Sequence, residues 1–302
     1  MKKYKTSIQP NGVKSQEKRL FFIKKYVIVK EKERNNMQGV IIGNISNRYK
    51  IETQDKVYEA HARGKFKNQD IKPLVGDKVE IEVIDDKKNE AIIEKIKKRK
   101  NEIKRPKIAN IDQIIFIIST KNPKPDLLML DKQLAYSEKL EIEPIIIINK
   151  CDLKDTYENI KNIYSKIGYK VIATSAKQNI GINKVKEVLK NKISVFSGNS
   201  GVGKSSIINA LFDTEKTQEG EISNKNKKGK NTTTDTKLYK LEENTYIADT
   251  PGFSSFEINE IEITEIDKCF REFKNEIQNC EFVRMYSYKR TELWNKKGYT
   301  RW

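Results

Sequence analysis

The run Gly198-Asn199-Ser200-Gly201-Val202-Gly203-Lys204-Ser205-Ser206 holds the residue types that grip phosphate. Its glycines let backbone N–H groups close around phosphate oxygens at the start of a helix. Lys204 is placed to reach a β- and a γ-phosphate, and the Ser205 hydroxyl to ligate magnesium. A second run, Asn149-Lys150-Cys151-Asp152, selects a base. The Asp152 carboxylate can accept both the N1–H and the exocyclic amino protons of guanine, an edge that adenine lacks. Leaving that acceptor without a partner is costly, so ATP is rejected. Ser175, Ala176 and Lys177, in the run Thr174-Ser175-Ala176-Lys177, have the composition of a second guanine-contacting loop.

Asp249-Thr250-Pro251-Gly252 supplies a carboxylate for magnesium, through water, and a Gly252 N–H for the γ-phosphate. Between it and the phosphate loop lies the polar run 225–234, with Gly229 and no apolar anchor, a composition that predicts a mobile segment. Of Thr232, Thr233 and Thr234, Thr233 is the choice to close over magnesium in the GTP state. The order along the chain is base recognition, phosphate loop, then the Asp249 motif. An ordinary small GTPase has the phosphate loop first. This order predicts a circularly permuted G domain that binds GTP or GDP with Mg2+.

Elements must bring these loops together. Beyond residue 106, apolar runs alternate with helical patterns, the signature of a parallel sheet covered on both faces. Strands are predicted over 113–118, 144–148, 170–173, 193–196 and 246–248, and helices over 127–140, 157–167, 185–189 and 204–212. The Asn149, Ser175, Gly198 and Asp249 motifs each follow a predicted strand. Ligands of such sheets sit at the carboxyl ends of the strands, so the motifs should converge on one edge.

From Met37 to about residue 105 the texture differs. Gly39-Val40-Ile41-Ile42, Tyr49-Lys50-Ile51-Glu52, Val57-Tyr58-Glu59-Ala60 and Val79-Glu80-Ile81-Glu82-Val83 are short, punctuated by Asn, Gly and Asp. Short strands at this spacing predict a small all-β barrel. His61, the only histidine, falls there and is read as structural. Residues 1–36 lack steady periodicity and are read as a non-native or disordered extension, with Met37 as the natural initiator.

Bulk composition narrows the class. Of the 302 residues 36% are hydrophobic and 34% charged, and no apolar run approaches a membrane span. The stretch 20–29 is broken by Lys24 and Lys25, which argues against a signal peptide. Three cysteines without a paired pattern suit a reducing cytoplasm. The formal charge of +18 points to a polyanionic partner, although residues 1–36 carry +8 of it and 284–302 carry +5.

Arg63-Gly64-Lys65-Phe66, Pro73-Leu74-Val75-Gly76-Asp77, Arg105-Pro106 and Ala109-Asn110-Ile111-Asp112-Gln113, with the permuted motif order and the Asp249 motif through Phe253, carry a wider likeness. From Met37 to Cys280 the chain resembles the ribosome-small-subunit-dependent GTPase A family (RsgA/YjeQ type). The resemblance implies an OB-fold RNA-binding domain at 37–105, a permuted G domain at 106–260 and a mostly helical zinc-type domain at 261–302. It implies action in late maturation of the small (30S) ribosomal subunit, with hydrolysis stimulated by the subunit and its rRNA as partner. A monomer is expected. Within the barrel and the stretch after it, Arg63, Lys65 and residues 97–100 would be the phosphate contacts on RNA.

Two departures stand out. Phe253 occupies the place of a water-orienting glutamine, and the histidine that the family carries before the threonine run is here Asn231. Asn231 can hydrogen-bond a water but cannot titrate, so slow intrinsic hydrolysis is expected. The family's zinc pattern, Cys-x4-Cys-x-His-x5-Cys, starts at Cys280 but finds Met285, Ser287 and Leu293 at the remaining ligand positions. Cys269 is read as a buried helix residue instead. A one-base frame shift in the codons of Val283 and Arg284 permits a reading with cysteine, histidine and cysteine at those three positions. Two readings therefore stand beside a working ribosome-dependent GTPase: a catalytically weak, GTP-dependent RNA-binding module, and a frameshifted nonfunctional product.

In this permuted order the Asp249 switch runs directly into residues 254–302, while the barrel joins the other end of the G domain. A change at the γ-phosphate can then pull on a flanking domain.

Overall fold

The computed structural model describes residues 36–45, 47–64, 66, 71–103, 107–153, 157–213, 236–249, 261–262 and 265–273. Asn231, Thr233, Gly252, Phe253, Cys280, Met285, Ser287 and Leu293 lie outside them, as does the expected extension up to residue 35. The chain divides into two compact units, the first built on residues up to 41, 45–73 and 78–98, the second on 42–44, 74–77 and 99 onward.

In the first unit, β1 (Asn36–Ile45), β2 (Arg48–Glu52), β3 (Val57–Ala62), β4 (Lys78–Asp85) and β5 (Glu90–Ile96) close on themselves. β1 pairs antiparallel with β4, β4 with β5, and β2 with β3, whereas β3 and β5 run parallel. The period-2 alternation turns Tyr49, Ile51, Tyr58, Ala60, Val79, Ile81, Ala91 and Ile93 inward. This closed five-stranded barrel fits an OB-fold. Gly39 is required where β1 crosses its neighbour: a Cβ there would lie 2.5 Å from the Ile51 side chain and 2.6 Å from the Glu52 carbonyl oxygen. His61 stands on β3 with its side chain exposed, so it contributes nothing to the barrel interior.

The second unit opens with a two-strand ribbon, β6 (Glu102–Ile103) and β7 (Ile108–Ala109). Its main sheet contains β8 (Gln113–Ser119), β9 (Glu143–Asn149), β10 (Lys170–Ala173), β11 (Ile193–Ser197), β12 (Lys237–Glu242) and β13 (Thr245–Asp249). The order is β10-β9-β8-β11-β13-β12, with the first five parallel and β12 antiparallel at the end. Helices α1 (Leu127–Lys139), α2 (Tyr157–Ile167), α3 (Ile182–Leu189) and α4 (Lys204–Asp213) connect the strands. Every residue of β8 and β11 is buried, which is why these strands read as unbroken apolar runs. The core centres on Ile115, Ile117, Ile145, Ile147, Phe196 and Ile247, joined by Ile207 and Leu211 of α4.

An ion pair is sealed into this unit ahead of the sheet. Asp77 has no exposure, and Arg99 meets it with two parallel bonds, Nε to Oδ1 and Nη2 to Oδ2, each 2.8 Å. Asp77 Oδ2 also accepts the Leu74 N–H at 2.8 Å. The hydrogen bond to Asp77 holds the Arg99 guanidinium protonated even more firmly than usual.

Candidate functional site

β8 and β11 lie side by side, and their connections leave in opposite directions, through α1 toward β9 and through α4 toward β13. That reversal opens a crevice at the carboxyl ends of the strands. The expected residues gather around it. Asn149 ends β9, Ser175 follows β10, Gly198 follows β11, and Asp249 ends β13, whose Ala248 stands opposite Val195 of β11. Convergence of the four motifs on one edge is therefore observed.

Asn149 is the hinge of the site. Its side chain is buried; Nδ2 donates to the Val202 carbonyl oxygen at 2.9 Å, and Oδ1 accepts from Thr174 Oγ1 and Ala176 N, both at 3.2 Å. One amide thus joins the base-selecting run, the Ser175 loop and the phosphate loop. Gly203 makes this possible. At φ +95° it occupies backbone space that L side chains rarely enter, and a Cβ on it would sit 2.2 Å from Asn149 Nδ2. Lys150, itself at φ +61°, turns back across the phosphate loop, where its Nζ donates to Gly201 O at 2.7 Å and to Asn122 O.

The remaining expected residues take positions consistent with a loop-then-helix phosphate cradle. Gly198, Asn199, Ser200 and Gly201 form the turn, Val202 is buried beneath it, and Lys204 begins α4 with Ser205 and Ser206 exposed in its first turn. The first N–H groups of α4 have no carbonyl within the helix to bond, an arrangement that favours an anion. Asp152 and Lys177 are placed after β9 and β10, in the loops that close on each other through Cys151 N to Thr174 O at 3.0 Å. Burial pushes the Cys151 thiol up, and the Asp152 charge adds to it.

The loop between β8 and α1 was missed by sequence reasoning. Thr120 Oγ1 donates to Lys150 O at 2.7 Å, and Ser119 Oγ donates to Pro123 O at 2.8 Å. A small cavity of about 20 Å3 lies between this loop and the phosphate loop, lined among others by Ser119, Lys124, Asp126, Gly198 and Asn199. The signal available was the turn-rich run Asn122-Pro123-Lys124-Pro125 placed directly after a buried strand.

Of the basic residues expected to meet RNA, Lys65 lies outside the described residues, and most of the others are engaged. Arg63 is held by Glu82 at 2.9 Å and Glu94 at 2.5 Å. Lys97 donates to Gln38, Arg99 pairs with Asp77 and Glu102, and Lys100 lies 3.3 Å from Asp112. Lys50, Lys95 and Lys98 are exposed instead. Cys269 is buried, in a 3-10 turn spanning Ile266–Cys269.

Magnesium and zinc fare differently against these residues. Serine and aspartate are hard oxygen donors that suit magnesium; Ser205 stands in the first turn of α4 and Asp249 at the end of β13, the strand beside the one that leads into α4. Zinc does not fit the tail, because methionine, serine and leucine stand where thiolate or imidazole ligands are needed. Among the described residues no group of three or more His, Cys, Asp or Glu could hold a metal ion, and no helix is long and apolar enough to cross a membrane.

Comparison with known proteins agrees with this geometry. The family model for the RsgA GTPase matches residues 96–259, and that for the RsgA N-terminal domain matches 38–93. A small ribosomal subunit biogenesis GTPase RsgA from Ruminiclostridium cellulolyticum is 41% identical over 247 residues, covering 81% of each chain. One from Caldanaerobacter subterraneus subsp. tengcongensis is 40% identical over 82% of this chain and 83% of its own. Among solved structures, YjeQ from Thermotoga maritima superposes with a TM-score of 0.73 at 34% identity, covering 87% of this chain and 92% of that one. YloQ, a circularly permuted GTPase, gives 0.69 at 30% identity, with 84% of each covered. A barrel ahead of a G domain whose base-selecting loop precedes its phosphate loop, matched over four-fifths of its length, places this chain in the RsgA family of circularly permuted GTPases.

Proposed function

We propose that this chain is a GTP-hydrolysing factor acting in late maturation of the small ribosomal subunit, with turnover stimulated by that subunit. The observation that carries the reading is the Asn149 amide, which ties the base-selecting loop to the phosphate loop through Val202 and to the Ser175 loop through Ala176. Asn149, Lys150, Asp152, Ser175, Ala176 and Lys177 would hold guanine and its ribose side, and the loop 198–206 the phosphates. Lys204 offers a cation to the β- and γ-phosphates. Ser205 and Asp249, with Thr233, would hold magnesium, whose charge neutralises the phosphate oxygens. Asn231 and Gly252 would orient water and the γ-phosphate.

The partner in this reading is the rRNA of the subunit, met by the exposed lysines of the barrel unit. Domains at 37–105, 106–260 and 261–302, a monomer and a cytoplasmic location belong to the same proposal. The tail, whose zinc positions are altered, would form a mostly helical domain without metal.

The deciding experiment is GTP hydrolysis by the full chain with and without purified small subunits. At least a tenfold rise is expected. If GTP binds but subunits leave the rate flat, the chain is instead a GTP-holding RNA module, and catalysis in this role is refuted.

A further inference from the structure

The chain that follows the Asp249 motif is fastened to the far end of α1. Ile261 and Cys269 are buried against Ala135 and Tyr136 of that helix, and Lys139 lies 3.3 Å from Glu265. Arg271, in the second 3-10 turn (Arg271–Phe273), then spreads its guanidinium over three elements. Nε donates to Glu138 near the end of α1. Nη2 donates to Glu143, the first residue of β9, at 3.0 Å, and Nη1 donates to Gly168 O after α2 at 2.9 Å. The guanidinium also lies 4.5 Å from the centre of the Tyr169 ring. Burial opposes its charge, but the bond and charge of Glu138 prevail, so it is held protonated. An open cleft of about 670 Å3, lined by Asp112, Glu141, Lys268 and others, runs along this contact, so water reaches its edge.

The other end of α1 is tied to the phosphate loop. Asp126 caps the helix, accepting from Met129 N at 3.0 Å, and the loop before it meets Gly201 through the shared Lys150 Nζ. In between, Asp131 accepts the Tyr164 hydroxyl at 2.6 Å, tying the helix to α2. A helix of 13 residues spans about 20 Å. Losing Arg271 would take the guanidinium from a Glu138 carboxylate that is only 9% exposed. The same loss would remove the bonds to Glu143 and Gly168, so the helix end would be loosened from the 3-10 turn.

We propose that Arg271 is a positioning residue of the GTPase. It clamps the segment downstream of the Asp249 motif onto α1, and α1 links the state of that clamp to the phosphate loop and to Lys150. Clamp closure and nucleotide binding therefore favour each other. By linkage the factor is the same in both directions. The inference rests on the reading of residues 198–206 as the phosphate site.

The test uses the full chain and a fluorescent methylanthraniloyl-GDP. Arg271→Ala should speed release of this nucleotide about tenfold, within the usual range of such couplings. Arg271→Lys, which keeps the charge and loses the fork, should fall between. In the unaltered protein, GDP should slow amide hydrogen exchange across residues 265–273 by a comparable factor. A folded R271A variant with wild-type release would overturn the proposal. So would exchange at 265–273 that ignores GDP, a readout that decides the matter even if R271A fails to fold. No binding of the probe to the unaltered protein would refute the phosphate-site reading itself, and the clamp with it.

Discussion

In the proposed site Asp152 would carry the choice of base. Its carboxylate is an acceptor on both oxygens, suited to two donors on guanine. In Asp152→Asn one oxygen becomes an NH2 group, which faces a guanine donor and cannot bond it. GTP affinity should drop by about a hundredfold or more. Xanthosine triphosphate, which presents a carbonyl where guanine has its amine, should bind better than to the unaltered chain. Competition between the two nucleotides for a fluorescent probe checks both. If the variant keeps its preference for GTP, Asp152 does not face the base. The change leaves Asn149 and its bonds to Val202 and Ala176 untouched, so the loop framework should survive.

Among the elements, the parallel strands were legible because burial on both faces leaves no polar punctuation: Ile-Ile-Phe-Ile-Ile in β8 and Ile-Ile-Ile-Ile in β9 allow little else. The phosphate and base runs stand out because the chemistry proposed for them demands particular side chains, and each follows a strand end. β5 and β12 were not, since Glu-Ala-Ile-Ile-Glu-Lys-Ile and Lys-Leu-Tyr-Lys-Leu-Glu mix charge with apolar residues too evenly to announce a strand. The β8–α1 loop escaped notice for another reason. Its partner for Lys150 is a backbone carbonyl, which any residue at position 122 would present. Likewise, Arg99 reads as one more cation in a basic run until Asp77 is seen beneath it. That pair sets a prediction for this scale. Arg99→Ala strands a carboxylate with no exposure and should destabilise the second unit by about 3–5 kcal/mol. Arg99→Lys, keeping the charge without the fork, should lose less. Thermal melts of the three chains test the order, and an unchanged melting temperature for R99A would refute it.

For the whole molecule, the distribution of charge decides how it meets a polyanion. Among the described residues, the engaged guanidinium of Arg63 and the paired Lys100 leave exposed lysines as the cations available to phosphate. Binding through such residues releases counterions, so stimulation by small subunits should fall steeply between 50 and 200 mM salt, by ~10-fold or more. Methylanthraniloyl-GDP affinity should change far less over the same range, because it presents two phosphates where an RNA surface presents many. Parallel titrations of both quantities separate the two surfaces, and equal salt dependence would mean that they are not distinct. The strand order has a further consequence, one of timing. β8, β9 and β10 are neighbours and are translated first, so the base-selecting side of the sheet can assemble as it emerges. β11 and β13, which carry the phosphate loop and the Asp249 motif, join only later. At roughly 5–20 residues per second, the interval from residue 173 to residue 249 lasts on the order of 4–15 s. On the proposed assignment the nascent domain would hold its base-selecting loop before the phosphate loop whose Val202 carbonyl steadies Asn149, and only completion of the sheet would make it able to capture nucleotide.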